Sequence, residues 1–149
     1  MNTFELIKTY TDYNLWANTL MSVWLRSFKD EDFLRVVESS FNFVQKTVLH
    51  ICDAQYVWYQ RLNSMDLEAV PSKTFAGSKD DALALLTNLS EKMSDFVKQQ
   101  DDSSIRQEIT YRLNNGDEDT QQMIFMLHHC MNHSTYHRGQ LITMGRQLG

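Results

Sequence analysis

The chain has 149 residues, 42% of them hydrophobic, 11% aromatic and 22% charged, a balance that excludes disorder and fibrous repeats and suits one domain over 1–149 with its own core. A formal net charge of -5, from 14 Lys and Arg against 19 Asp and Glu, argues against a nucleic-acid partner, which needs clustered cations. Two cysteines, Cys52 and Cys130, are too few for a disulfide scaffold, and no leader-type N-terminus or membrane-length apolar run is seen, so the expectation is a soluble cytoplasmic protein with buried thiols and no membrane partner.

One Pro and five Gly leave few obligatory breaks, which favours long helices. From Thr3 to about Phe28, Ile7, Tyr10, Ala17, Met21 and Trp24 recur on a three-four spacing that only Asn14 interrupts, the mark of an amphipathic helix. Asn14 is expected to satisfy a buried hydrogen bond. After the polar break Lys29 to Asp32, Ser39 or Ser40 can cap a second helix running to about Ser64, with Phe43, Thr47, His50, Ala54 and Val57 on its inward stripe. Met65 to Gly77, with Pro71, loses the helical period and reads as the long connection. Ser78 with Asp81 opens a third helix carrying Ala82, Leu86, Leu89, Met93 and Phe96. Ile105, Ile109, Tyr111 and Leu113 then alternate with polar residues up to Asn114-Asn115-Gly116, a pattern for a short strand or hairpin. Asp117 to Thr120 are expected to cap the last helix, which extends to about Leu148. Four such helices bury their stripes together as an all-α four-helix bundle, with connections long enough for a crossover.

All five histidines lie in two of these helices, as His50 and the cluster His128, His129, His133 and His137. Residues four apart share a helix face, so His133 and His137 can direct two imidazoles at one ion. His129 continues the ladder, but each four-residue step drifts by about forty degrees around the axis, and three rungs do not converge. A third ligand must come from elsewhere, and His50 is the remaining histidine on an inward stripe. An i,i+4 pair alone is more often two partly buried histidines with ordinary hydrogen bonds. Three imidazoles at core positions, however, would strand several polar nitrogens unless one cation engages them together. Zinc, nickel, copper and ferrous iron accept neutral imidazole, and three ligands leave coordination positions open. His128 and His129 read as surface or supporting residues. The aromatics Trp16, Trp24, Trp58, Tyr56 and Tyr59 read as packing, and Arg138-Gly139 within a helix suggests close helix approach or subunit contact.

Three segments carry a family resemblance over essentially the full length. Tyr13-Asn14-Leu15-Trp16-Ala17-Asn18, then Leu49-His50-Ile51-Cys52-Asp53-Ala54 with Trp58 and Arg61-Leu62, and above all His129-Cys130-Met131-Asn132-His133-Ser134-Thr135-Tyr136-His137-Arg138-Gly139-Gln140 resemble the motifs of the DinB-like superfamily of damage-inducible, metal-binding four-helix bundles. The resemblance implies an up-up-down-down bundle, a homodimer, and metal ligands at His50, His133 and His137. Some relatives are transferases or isomerases that use a small thiol. Gln55 stands where relatives often carry Glu, which removes a carboxylate from behind the site.

Two functions are therefore expected to compete. In one, the protein is a divalent-metal-dependent enzyme (Zn, Ni or Fe) that activates a low-molecular-weight thiol or water for transfer to a small electrophile. In the other, the same histidines hold an ion in a non-catalytic stress-response protein. No residue stands out as a general base.

Overall fold

The computed structural model describes residues 2–149. Helix α1, Thr3–Arg26, opens on a capping box in which the Asn2 side chain accepts from the Glu5 amide and Glu5 from that of Asn2, both at 2.8 Å. The four-residue α2, Asp30–Phe33, follows, then α3, Val44–Leu62, the short α4, Pro71–Thr74, and α5, Lys79–Lys98. A second capping box, Ser78 with Asp81, starts α5 as the sequence suggested. A single 3-10 turn at Ser104–Arg106 leads into β1, Glu108–Arg112, which pairs antiparallel with β2, Glu118–Gln122, in register at Thr110 and Thr120. Gly116, at φ 94°, turns the hairpin where Asn114-Asn115-Gly116 indicated it. Helix α6 runs from Met123 to Leu148.

Two expected boundaries move. Helix α3 begins at Val44, because Ser40 is occupied elsewhere, its hydroxyl accepting from Gln140 Nε2 at 2.7 Å, and residues 38–43 stay non-helical. Its buried row is Val44, Val48, Ile51, Cys52, Gln55 and Trp58, with His50 half-buried beside it. At α6, residues 117–120 do not cap the helix. They form the hairpin turn and β2, and Gln122 precedes the first turn with no side-chain cap.

Contacts fix the helix directions. Along α1 and α5, Arg26 meets Asp80, Asn18 meets Ser90 and Asp12 meets Ser94, so the two run antiparallel. Between α1 and α6, Tyr10 lies against His128, Asn14 against Arg138 and Trp24 against Gly145, so that pair is parallel. Thr47 to Met144 and Trp58 to His129 make α3 and α6 antiparallel. The four-helix bundle and its hairpin are as expected, but the order is up, down, down, up rather than up-up-down-down. The stretch 27–43 returns α3 against α1, and 63–78 is long enough to bring α5 back parallel to α3.

The core divides into two apolar clusters. One gathers Leu25, Phe33, Val48, Ile51, Leu83, Leu86, Leu141 and Met144; the other gathers Trp58, Met93, Val97, Ile105, Met126, Leu127 and Met131. Between them lies a buried polar layer drawn from all four long helices, including Asn14, Asn18, Gln55, Ser90 and Arg138. No helix among the described residues is long and apolar enough to cross a membrane.

Candidate metal centre

Helix α3 presents His50 toward α6, and the antiparallel α6 answers with His133 and His137 one turn apart. The ring centroids are 4.8 Å apart for His50 and His133, 4.5 Å for His50 and His137, and 4.4 Å for His133 and His137. One ligand nitrogen from each lies within 4.8 Å of the other two, a spacing that can hold one metal ion. The three residues singled out in the sequence are the three brought together.

Their surroundings prepare the nitrogens for ligation. Gln140 Nε2 donates to the Ser40 hydroxyl and, at 3.1 Å, to that of Tyr136, so its Oε1 faces His137 Nδ1 at 2.7 Å. His137 Nδ1 therefore carries the proton and Nε2 keeps its lone pair, the tautomer control that metal-binding histidines use. His133 Nε2 sits 2.9 Å from His50 Nε2, while the buried His133 Nδ1 has no partner. Burial, reinforced by the neighbouring imidazoles, pushes His133 down to about 4. Burial also lowers His50, with His137 adding to the effect, and lowers His137 against the opposing pull of Gln140. All three are held neutral, the form that ligates. Three neutral imidazoles in contact, two of them meeting Nε2 to Nε2, are what a shared cation would resolve, so the donor set fits a divalent ion.

Phe41, from the non-helical stretch before α3, covers the cluster at 4.4 Å from His50 and 5.8 Å from His137. The sequence did not single it out, because the helix was expected to begin at Ser39 or Ser40 and the stretch before Val44 is non-helical. His128 and His129 are exposed, and neither is part of the cluster. His129 stacks on His133 at 6.4 Å and 14°, and leans on Trp58 at 5.0 Å. Cys52 and Cys130 are buried free thiols, as expected. Burial pushes both upward, Cys130 to about 12, so neither offers a thiolate.

Behind the histidines runs the polar layer. Arg138 Nη1 donates to Asn14 Oδ1 at 2.6 Å and Asn18 Oδ1 at 2.9 Å, and Nη2 to Thr135 at 2.8 Å. Because Arg138 claims the Asn14 oxygen, the Asn14 nitrogen must donate onward, to Gln55 Oε1 at 3.3 Å, which also accepts from Ser90 at 3.0 Å. That direction of donation leaves Gln55 Nε2 buried and unpaired. Arg138 has no carboxylate partner within ion-pair reach among the described residues; a Glu at position 55 would have supplied a negative charge here. The close approach read at Gly139 lies instead at Gly145, where an added Cβ would collide with the Trp24 ring; at Gly139 it would meet nothing within 4 Å. The sequence announced one member of this layer, Asn14, as the site of a buried hydrogen bond, and not the partners that complete it.

Comparison with known proteins agrees with this architecture. A profile described as the DinB family matches residues 1–149. The chain is 25% identical over 145 residues to Protein DinB of Bacillus subtilis strain 168, covering 93% of this chain and 83% of that protein. A DinB-like protein from Bacillus cereus ATCC 10987 superposes with a TM-score of 0.71 at 15% identity, over 91% of this chain and 86% of that one. A second, from Bacillus subtilis, gives 0.68 at 15% identity over 97% and 92%.

Proposed function

The chain belongs to the DinB family, and on that premise we propose that it is a cytoplasmic divalent-metal-dependent enzyme whose ion, zinc, nickel or ferrous iron, is held by His50, His133 and His137. The observation that carries this reading is the meeting of three neutral imidazoles from two helices, with one ligand nitrogen of each within 4.8 Å of the other two. Bound there, the ion would supply Lewis-acid activation of a low-molecular-weight thiol or water for transfer to a small electrophile. The protein's own part is orientation and exclusion. Gln140, steadied by Ser40 and Tyr136, keeps the His137 lone pair directed inward, and Phe41 shields the imidazoles from bulk water.

The same Phe41 favours the second reading, a non-catalytic metal-binding protein, since a ring over the histidines restricts what reaches them. Metal analysis of wild type, His133→Ala and His137→Ala, with circular dichroism, tests ligation. The variants are expected to lose most bound metal and remain helical, because two apolar clusters hold the bundle without it. Global unfolding of both would make the ion structural. Calorimetry of 2-mercaptoethanol with loaded protein, in buffers of different ionisation enthalpy, separates the two readings. Thiol binding that needs metal and releases a proton supports the enzyme, and its absence supports the binding protein.

The working unit is proposed to be a homodimer. Trp16 and Leu20 on α1, with Ile142 on α6, form an exposed apolar face where those parallel helices meet, and Val23 extends its α1 row.

A further inference from the structure

The segment that covers the histidine cluster and the contact that orients one of its ligands meet in a single side chain, Gln140. Between α2 and α3 the chain is buried at Val37 and Val44, and the Val37 amide donates to the Asn42 carbonyl at 3.0 Å, closing a short loop. The tip of that loop, residues 38–41, is held against α6 by side-chain hydrogen bonds. Gln147 pairs with the Glu38 backbone in both directions, accepting from its amide at 3.3 Å and donating to its carbonyl at 3.1 Å. Gln140 Nε2 donates to the Ser40 hydroxyl at 2.7 Å, and Phe41 beside it lies over His50 and His137.

These bonds are at the surface, where each adds little net stability, and the ends of the loop are anchored separately, Val37 and Val44 belonging to the first apolar cluster. The tip can therefore lift from α6 while the bundle stays folded. Lifting it uncovers the imidazoles and also takes the Ser40 acceptor away from Gln140. The chemistry of the amide makes that loss matter. To ligate through Nε2, His137 must carry its proton on Nδ1, and that proton needs an acceptor. Gln140 Oε1 supplies one at 2.7 Å only while the amide nitrogen points the other way, toward Ser40 and Tyr136. Turned over, the amide would donate to Nδ1 and send the proton to Nε2, the nitrogen that has to hold the ion. An ion on Nε2 thus fixes Gln140 in the orientation that grips Ser40, and a gripped Ser40 keeps Phe41 over the cluster.

We propose that residues 38–41 are a lid latched by the metal, with Ser40 acting through Gln140 as a positioning residue for the ligand His137. Metal binding favours the closed loop, and displacement of Phe41 by an incoming substrate loosens the hold on His137. This rests on the metal reading above and adds to it a control of access. It also gives the Phe41 cover a role in an enzyme, as a closed state that a substrate opens.

Two quantities test it: amide hydrogen exchange of residues 37–42 with and without zinc, and the rate of zinc release to an excess of a chromophoric chelator. In wild type, zinc is expected to slow exchange of that segment about tenfold. Ser40 is exposed, so Ser40→Ala should remain helical by circular dichroism and still bind zinc. It should lose most of the added protection and release zinc about tenfold faster, the scale of one hydrogen bond. Ser40→Thr keeps the hydroxyl and should release zinc at the wild-type rate. Gln147 lies about three turns along α6 from His137 and grips only the loop backbone at Glu38. Gln147→Ala should therefore also speed release, whereas orientation of His137 by Gln140 without a lid would leave it unchanged. Exchange at 37–42 that is the same with and without zinc, or wild-type release from both Ser40→Ala and Gln147→Ala, overturns the lid and leaves the metal reading standing. If wild type takes up no zinc, nickel or ferrous iron, the metal reading fails and the lid falls with it.

Discussion

At the scale of residues, the site depends on keeping imidazoles neutral. Burial lowers His50, His133 and His137 in the folded protein, His133 to about 4, whereas in the unfolded chain a histidine takes its proton near pH 6.5. Between those values the unfolded state binds more protons, so the metal-free protein is fully stable above about pH 6.5 and loses stability as pH falls toward 4. Asp81 and Asp101 are held below the usual carboxylate range by hydrogen bonds from Ser78, Ser103 and Ser104. Their stabilisation is lost only below about pH 4, outside the histidine window. Denaturant midpoints of metal-free protein should therefore fall between pH 7.5 and 5, and fall less in His133→Gln; parallel curves would mean that the cluster is not neutral when folded. The three ligand candidates were legible because a four-residue step on a helix is a rigid geometric relation. Phe41 was not, because its position depends on a non-helical stretch held in place by Gln140, ninety-odd residues away in the chain. Arg138 was legible as unusual but not as buried, since its amide partners come from a helix more than a hundred residues earlier.

At the scale of elements, the sequence yielded the four long helices, the Ser78 and Asp81 capping box and the hairpin, each of which has a local cause. What it missed was decided at a distance. The start of α3 moved when Ser40 paired with α6, and the acidic residues assigned as a cap were taken by strand pairing. The two glycines inside α6 show the same division. Both look like weak points in a helix, but Gly145 receives the Trp24 ring at a distance no Cβ tolerates, while Gly139 faces open space. Gly145→Ala is expected to destabilise the protein by ~1–3 kcal/mol through overpacking against Trp24. Gly139→Ala should stabilise it by ~0.5–1 kcal/mol, because helix propensity is then the only change. Urea denaturation of the two variants measures the contrast, and equal effects would show that the ring does not occupy that gap.

At the scale of the whole molecule, Trp16 is the residue that the sequence misassigned to packing: it is 57% exposed, in line with Leu20 at 49% and Val23 at 59%. A monomer with this face in water is the less expected state. Light scattering should give the mass of a dimer at micromolar concentration, and Trp16→Glu with Leu20→Lys should give a helical monomer; a monomeric wild type would refute the assembly. The parallel pairing of α1 and α6 has a kinetic consequence as well. The contacts of the polar layer join residues 35 apart for Gln55 and Ser90, 72 for Asn18 and Ser90, and 124 for Asn14 and Arg138. Closing the longest loop costs the most chain entropy, so α6 is expected to dock last, after α1, α3 and α5 have met. Arg138→Ala should then accelerate unfolding with little change in the refolding rate, whereas Ser90→Ala should slow refolding. Until α6 arrives, Asn14 and Asn18 have no guanidinium to orient them, and His50 waits without its two partners. A chain emerging residue by residue would thus build most of its bundle before its three imidazoles could meet at all.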